Sequence, residues 1–595
     1  MPHLAPGGAA EKQPVLLKNE CHTYSGLVLV PAIYIGVDQM KINRLAHVFF
    51  ALMLTMMSVS IANAQGNGDE DPTATIITLN NDTISVEGSG ATVDGSNVTI
   101  TAAGTYRLSG NLTDGQVMVD AKGATVTLIL NGVEMRNTTS APIYIKHAES
   151  AVIVLADGSQ NFVSDAATYV YANPDDNEPN AAVFSDDDLT INGSGSLTVE
   201  ANFNDGITSK DSLTITDATI MVNAADDGIR GKDSLVVTNA HLTLTTQGDG
   251  LKADNEEDPA LGTISIANSE IKINAGGDAL QAETAAIIDG GLFDLTTAGG
   301  SSANISDDLS AKGLKAGASL TINGGTFAIN SADDALHANT ALTVNGGTFT
   351  LATGDDAIHA DASVTINGGD INITKSYEGI ESEVITINGG NIRLVSSDDG
   401  INVAGGNATG GFASAANYYL YIHGGYIVVN ADGDGLDANG SIEMTGGVVI
   451  VHGPTMNMNG ALDYDGTFHI TGGFLVAAGS SGMAQAPDQG SSQHSLLLNL
   501  DTAQPADTLI HIQDSNGNDL LTFAPAKSYQ SIAFSSPELI EGATYSIYFG
   551  GSSDGTVTDG LYGAGTYTSG TQFTDFTVSS IVTQIGRSSR FGRRP

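Results

Sequence analysis

Adjacent carboxylates return along this chain at a nearly constant interval. Asp226-Asp227, Asp333-Asp334, Asp355-Asp356 and Asp398-Asp399 are pairs, and Asp205, Asp249 and Asp278 hold the same register singly. Successive anchors such as Asp205, Asp227 and Asp249, or Asp334 and Asp356, stand 22 residues apart. If each interval is one turn of a repeat, equivalent side chains stack about 4.8 Å apart, the spacing of paired strands. Carboxylates that close repel, and one of each pair would have its pKa raised. Three compensations are open: side chains splayed into water, oxygens capping turn N–H groups, or shared cations. Calcium is the natural cation, because it takes about 6–8 oxygens from carboxylates, carbonyls and water. The expected cofactor is therefore Ca2+, with Asp205, Asp226, Asp227, Asp249, Asp278, Asp333, Asp334, Asp355, Asp356, Asp398 and Asp399 as candidate ligands.

A second row travels with the first. Two residues past each anchor the chain is apolar, as at Ile207, Ile229, Leu251, Leu314, Leu336 and Ile358, so the next residue points outward on a strand. That outward row reads Thr208, Arg230, Lys252, Gln281, Lys315, His337, His359, Glu381, Asn402, Asp437. Its cations lie at one end and its acids at the other. A long strip of repeated polar groups suits a long repetitive ligand, and an ordinary solvated sheet face is the alternative. Arg230, Lys232, Lys252, Lys315, His337, His359 and Tyr377 are the candidate carbohydrate contacts. No Ser/His/Asp or zinc spacing stands out. A lyase would need Arg or Lys to take a proton beside a calcium-polarised uronate, so the chain reads as a binding protein before an enzyme.

The elements that hold these rows are strands. "LTINGGTFAI", "LTVNGGTFTL", "VTINGGDINI" and "ITINGGNIRL" repeat at steps of 22, 22 and 21, with apolar residues alternating on both sides of each Asn-Gly-Gly. Period-two alternation is the strand signal. Each repeat reads as strand, Asn-Gly-Gly turn, strand, Asp-rich turn, short strand, with no helix. About 22 residues and three short strands per turn point to an all-β parallel β-helix. Stacked turn asparagines (Asn323, Asn345, Asn367, Asn388) are expected to hydrogen-bond to one another, and their glycines to supply φ > 0.

The helix is expected over 75–485, its first coils irregular. A small β domain or cap follows at 490–586, where the period stops, then a basic tail at 587–595. The chain has 595 residues, no Trp and a net charge of −45, the wrong sign for a nucleic-acid partner. Lys41 and Arg44, the apolar run Leu45 to Ile61, and Ala62-Asn63-Ala64 compose a secretory signal peptide at 40–64, cleaved after Ala64. Residues 1–39 then form a non-structural upstream extension, and 65–74 a linker. The single cysteine, Cys21, lies in that extension, so the secreted part has no disulfide. Nothing downstream is long and apolar enough for a membrane helix, and a monomer is expected.

"NDGITSKDSLTIT", "DDGIRGKDSLVVT", "GDGLKADNEEDP", "SAKGLKAGASLTINGGTF" and "KSYEGIES" together resemble the bacterial carbohydrate-binding family of right-handed parallel β-helices, pectate-lyase-like in fold. The resemblance runs over most of 75–580. It implies binding of cellulose or polygalacturonate-like polysaccharide outside the cell, with calcium on the helix and no established catalysis. The copies at "LDAN" from Leu436 and "NGALDYDG" from Asn459 are looser, and the resemblance carries calcium less far into those last coils. A calcium-dependent pectate lyase and a structural surface protein or adhesin are the alternatives.

Overall fold

Apolar residues at every second position, separated by turn residues, leave a chain that can bury one face of each strand and nothing else. A computed structural model describes residues 73–306, 308–405 and 417–586. Residues 1–39, the signal peptide at 40–64, Cys21 and the 587–595 tail lie outside the described residues. Among the described residues there is no helix, and none long and apolar enough to cross a membrane. One large, mostly parallel sheet system carries 47 strands.

Its strands stack in three families. After each Asp turn comes a short strand, such as Ile229–Gly231, Leu251–Ala253, Leu314–Ala316 or Leu336–Ala338. These pair in parallel with Ile207 on Ile229, Ile229 on Leu251, Leu314 on Leu336 and Leu336 on Ile358. Strands before each Asn-Gly-Gly turn form the second family, with Leu320 on Leu342 and Leu342 on Val364. Strands after it form the third, with Phe327 on Phe349 and Phe349 on Ile371.

In-register pairing puts like on like. Phe293, Phe327 and Phe349 stack inside the coils with centroids 4.6 and 4.7 Å apart. The turn asparagines do the same outside. Asn345 donates to Asn323 at 2.7 Å, Asn367 to Asn345 at 2.7 Å and Asn388 to Asn367 at 2.8 Å. The second glycine of each turn has positive φ, +116° at Gly325 and +114° at Gly347, where a Cβ would be strained. Phe327 packs against a ring on either side, so Phe327→Ala should cost about 3–5 kcal/mol. Urea denaturation would read that loss as a lower midpoint with an unchanged slope.

The ends differ. At the first coils, Thr75–Asn81 pairs antiparallel with Thr83–Glu87 and parallel with Gly104–Leu112. At the other end, Phe474–Gly479 pairs antiparallel with Tyr529–Ser535, which also pairs with Ser495–Gln504. A separate antiparallel sheet holds Ile510–Asp514, Asp519–Phe523, Thr544–Phe549 and Thr571–Thr577. A second core joins the two: outward Val428, Ile450 and Val476 pack with Ile510, Phe523, Phe534 and Ile547. "YIVV", "VVIV" and "FLVAA" lose the alternation of earlier repeats because both faces of those strands are buried.

Candidate functional site

The anchor aspartates cap the next coil. Asp227 accepts the backbone N–H of Asp249 at 2.8 Å, Asp249 that of Asp278 at 2.8 Å, and Asp278 that of Lys312 at 2.7 Å. Further along, Asp334 accepts from Asp356 at 3.1 Å, Asp356 from Glu378 at 3.1 Å and Asp399 from Asp434 at 2.6 Å. The chain repeats Asp here because the N–H that opens each Asp turn needs an acceptor from the coil before. The first Asp of each pair has a different place. Asp226 and Asp355 are exposed and Asp333 and Asp398 half-buried, while Asp227, Asp334 and Asp356 are buried.

One oxygen per anchor is left over, and its partner changes along the strip. In the first half the chain supplies cations from the outward row. Lys252 reaches Asp227 at 2.9 Å and Asp249 at 2.8 Å. Arg230 binds Asp254 at 2.8 Å and lies 3.9 Å from Asp205. Lys315 reaches Asp278 at 3.2 Å. Lys312, which stands at an anchor position itself, holds Asp333 and Asp334 at 2.7 Å each. His337 lies 2.8 Å from Asp334 through Nδ1. Burial alone would raise Asp334, but the imidazoles of His337 and His359 and the Lys312 charge hold its carboxyl below the usual range. Burial would likewise lower Lys252, and Asp249 and Asp227 outweigh it, so its ammonium is raised and stays charged.

In the second half, among the described residues, no lysine or arginine pairs with an anchor carboxylate, and Lys527 reaches only Asp432. The outward row turns to Glu381, Asn402, Asp437 and Asp463, paired in register. Burial, then the Glu381 charge, pushes Glu378 up to about 8. Burial pushes Asp399 up to about 6 and Asp434 up to about 7. Burial, then the Asp399 charge, pushes Asp437 up to about 8. Carboxylate oxygens of Asp399, Asp434 and Asp437 lie within 4.8 Å of one another. Asn402 sits between Glu381 and Asp437, 7 % exposed; its amide N–H donates to Glu378 at 2.7 Å, and its buried Oδ1 has no partner. Beside them Gly433 leaves room: a Cβ there would stand 2.4 Å from Asp399 Oδ1.

The candidate sugar contacts are therefore not equivalent. Lys252, Lys315 and His337 reach ladder carboxylates, and Arg230 is taken up by Asp254. Lys232 forms no ion pair among the described residues. Tyr377 is 47 % exposed, with Asp398 beside its hydroxyl pushing it up to about 12. His359 stands among four acids at 3.6–3.8 Å. Glu378, Glu381, Asn402, Asp434 and Asp437 join the site although the candidate ligands stopped at Asp399; the anchor register was the signal for Glu378 and Asp434, and the change from cations to acids in the outward row for Glu381, Asn402 and Asp437. Away from the strip, a cleft of about 730 Å³ is lined by Asn372, Arg393, Asn430, His452, Asp559 and Tyr562, where Arg393 is taken up by Asp559 at 2.9 Å.

A family model described as carbohydrate-binding domain-containing protein matches residues 94–357 and 356–400. A carbohydrate-binding domain-containing protein of Acetivibrio thermocellus is 51 % identical over 206 residues, 34 % of this chain and 72 % of that relative. This chain belongs to the carbohydrate-binding domain-containing family. In this family member the matched span takes in the cation-paired half of the ladder and ends at Gly400, just past Asp399. A solved polysaccharide lyase-like protein from C. thermocellum, a gadolinium derivative, is 39 % identical and covers 38 % of this chain and 92 % of its own, with a TM-score of 0.37.

Proposed function

We propose that this protein is a secreted, calcium-dependent carbohydrate-binding protein for plant cell-wall-type polysaccharide, acidic pectin-type chains first and cellulose second. The scaffold is a right-handed parallel β-helix of about 22 residues per coil, closed by a C-terminal β cap, and acts as a monomer. The observation that carries the reading is the second half of the ladder. There several half-buried carboxylates pair with no lysine or arginine among the described residues, and the buried amide oxygen of Asn402 beside them has no partner. Oxygen donors in excess of protein cations are what a hard ion needs. Asp399, Asp434, Asp437 and Asn402 would hold calcium, with Glu378 and Glu381 beside them. When bound, calcium supplies positive charge at an otherwise acidic face. The carboxylates of a uronate chain could then approach a protein of net charge −45.

Binding is favoured over turnover. A lyase needs a lysine or arginine free to take a proton. Arg230, Lys252, Lys312 and Lys315 are each held by carboxylates, and Lys252 is kept charged, which leaves Lys232 as the candidate base without an ion pair among the described residues.

Depletion from solution tests the reading. The purified protein is offered polygalacturonate gel, crystalline cellulose and starch, each with calcium and with a chelator. Calcium-dependent loss onto polygalacturonate is expected, with no unsaturated uronate formed. Asp437→Asn should weaken retention roughly tenfold or more, the scale for disturbing a metal's surroundings. If no glycan retains the protein with calcium present, the carbohydrate reading fails and the ladder is scaffold. Calcium that only raises the melting temperature would then favour the adhesin alternative.

A further inference from the structure

The middle of the strip holds a group unlike its neighbours on either side. Asp356 and His359 lie on one coil and Glu381 on the next, paired in register with His359. Asp356 is 5 % exposed. Its Oδ1 accepts the Glu378 N–H, while its Oδ2 has no hydrogen bond and faces His359 Nδ1 at 3.7 Å. His359 Nε2 lies 3.6 Å from Glu381 Oε2 and 3.8 Å from Asp361 Oδ1. Nδ1 also lies 3.6 Å from Asp334 Oδ2, so both nitrogens point at carboxylates and neither closes to hydrogen-bond length among the described residues. A hydrogen-bonded imidazole–carboxylate contact would close to about 2.8 Å. One ion uses only one imidazole nitrogen, and a tetrahedral metal with bonds of roughly 2.0–2.1 Å has ligand edges of about 3.3–3.4 Å, so the three side chains would draw together around it by about an ångström. One atom each from Asp356, His359 and Glu381 lies within 4.8 Å of the other two.

We infer that Asp356, His359 and Glu381 form a transition-metal site of the zinc class, separate from the all-oxygen group at Asp399, Asp434 and Asp437. Donor chemistry separates the two. An imidazole nitrogen suits zinc, copper or nickel, whereas calcium takes oxygens. Position separates this trio from the neighbouring Asp334, His337 and His359. There Lys312 Nζ stands 2.7 Å from Asp334 Oδ2, and His337 already lies 2.8 Å from the same oxygen. A lysine ammonium in contact with the donor oxygen repels a divalent ion. No lysine or arginine forms an ion pair with Asp356 or Glu381 among the described residues. Three protein donors leave a further position for water or a ligand group, as in open zinc sites. Because the donors come from two coils, the metal would also tie those coils together.

Titration of the untagged full chain with Zn2+ against a chromophoric chelator tests this. One equivalent should bind, and a large molar excess of calcium should leave it in place. Substitution by Co2+ should give visible d–d absorption with the intensity of a low-coordinate site. His359→Gln and Glu381→Gln should each weaken binding at least tenfold, while Asp437→Asn leaves it unchanged. Zn2+ should raise the melting temperature of the wild type and not of His359→Gln; circular dichroism of the variant reports its folding independently. The inference is overturned if no equivalent binds, if His359→Gln binds as well as wild type, or if calcium displaces the metal. None of those results touches retention on polygalacturonate, which is read with calcium alone.

Discussion

Raising the pH from about 5 to about 8 in chelator is expected to remove on the order of 5 kcal/mol of stability from the protein. Glu378, Asp399, Asp434 and Asp437 are pushed up to about 8, 6, 7 and 8, by burial first in every case. In the unfolded chain such groups titrate near about 4. Between those limits the folded protein binds more protons than the unfolded one, so stability falls as pH rises. The penalty is absent below the unfolded pKa and complete above the folded ones. A carboxyl that titrates one pH unit higher in the folded chain than in the unfolded one costs about 1.4 kcal/mol once ionised. The four groups titrate as a set, so the total is well short of four independent costs. His359 adds a loss of the same sign. Burial would lower it, but Asp334, Glu381 and Asp361 outweigh that and raise it, so its stabilising charge is lost as pH climbs. Thermal and urea unfolding at several pH values would show this, with Asp437→Asn flattening the acid part of the slope. Calcium at millimolar level should restore the lost stability at the high-pH end, since a ligand of the folded state alone stabilises it by mass action. A stability that is flat or rising across this range, without calcium, would contradict an uncompensated acid cluster.

Lys312→Ala should be the most damaging charge removal on the strip, costing about 3–5 kcal/mol. Lys312 stands where the repeat elsewhere has an acid, and its ammonium neutralises Asp333 and Asp334 together. Removing it leaves two carboxylates, one of them 1 % exposed, without their strongest cation. His337 and His359 offset only part of that charge. Lys232→Ala, at a residue with no ion pair among the described residues, should fall within about 0.5 kcal/mol of wild type. Chemical denaturation near neutral pH compares the two. Equal effects would mean that the pairing at Lys312 is solvent-screened and that the ladder does not depend on its built-in cations.

How far the strip could be read from the chain follows from what sets each feature. Anchor and outward rows were legible because strand periodicity is local: Ile229, Leu251 and Leu336 must face in, so Arg230, Lys252 and His337 must face out. Register between coils was legible as well, because most equivalent anchors and Asn-Gly-Gly turns return at steps of 21 or 22 residues. The asparagine row followed from the same spacing. Less legible was the partner of each carboxylate. The sequence offers water, backbone or cation to every Asp alike. Only the stacked structure shows that one oxygen of Asp227 or Asp356 is committed to the N–H of the next anchor.

By itself, then, the sequence determined an all-β chain of in-register coils, an acidic face, and which side chains share a row. Those depend on residue type and period alone. Tertiary structure decided two things that neither can reach. It placed the C-terminal sheet on Val428, Ile450 and Val476, burying a coil face that the repeat elsewhere leaves to solvent. It also divided one row of carboxylates into a half neutralised by Arg230, Lys252, Lys312 and Lys315 and a half left to Asn402 and its acids. Charge compensation depends on distances between coils, and a difference of about one ångström at a buried carboxylate decides whether a lysine or a metal ion is its partner.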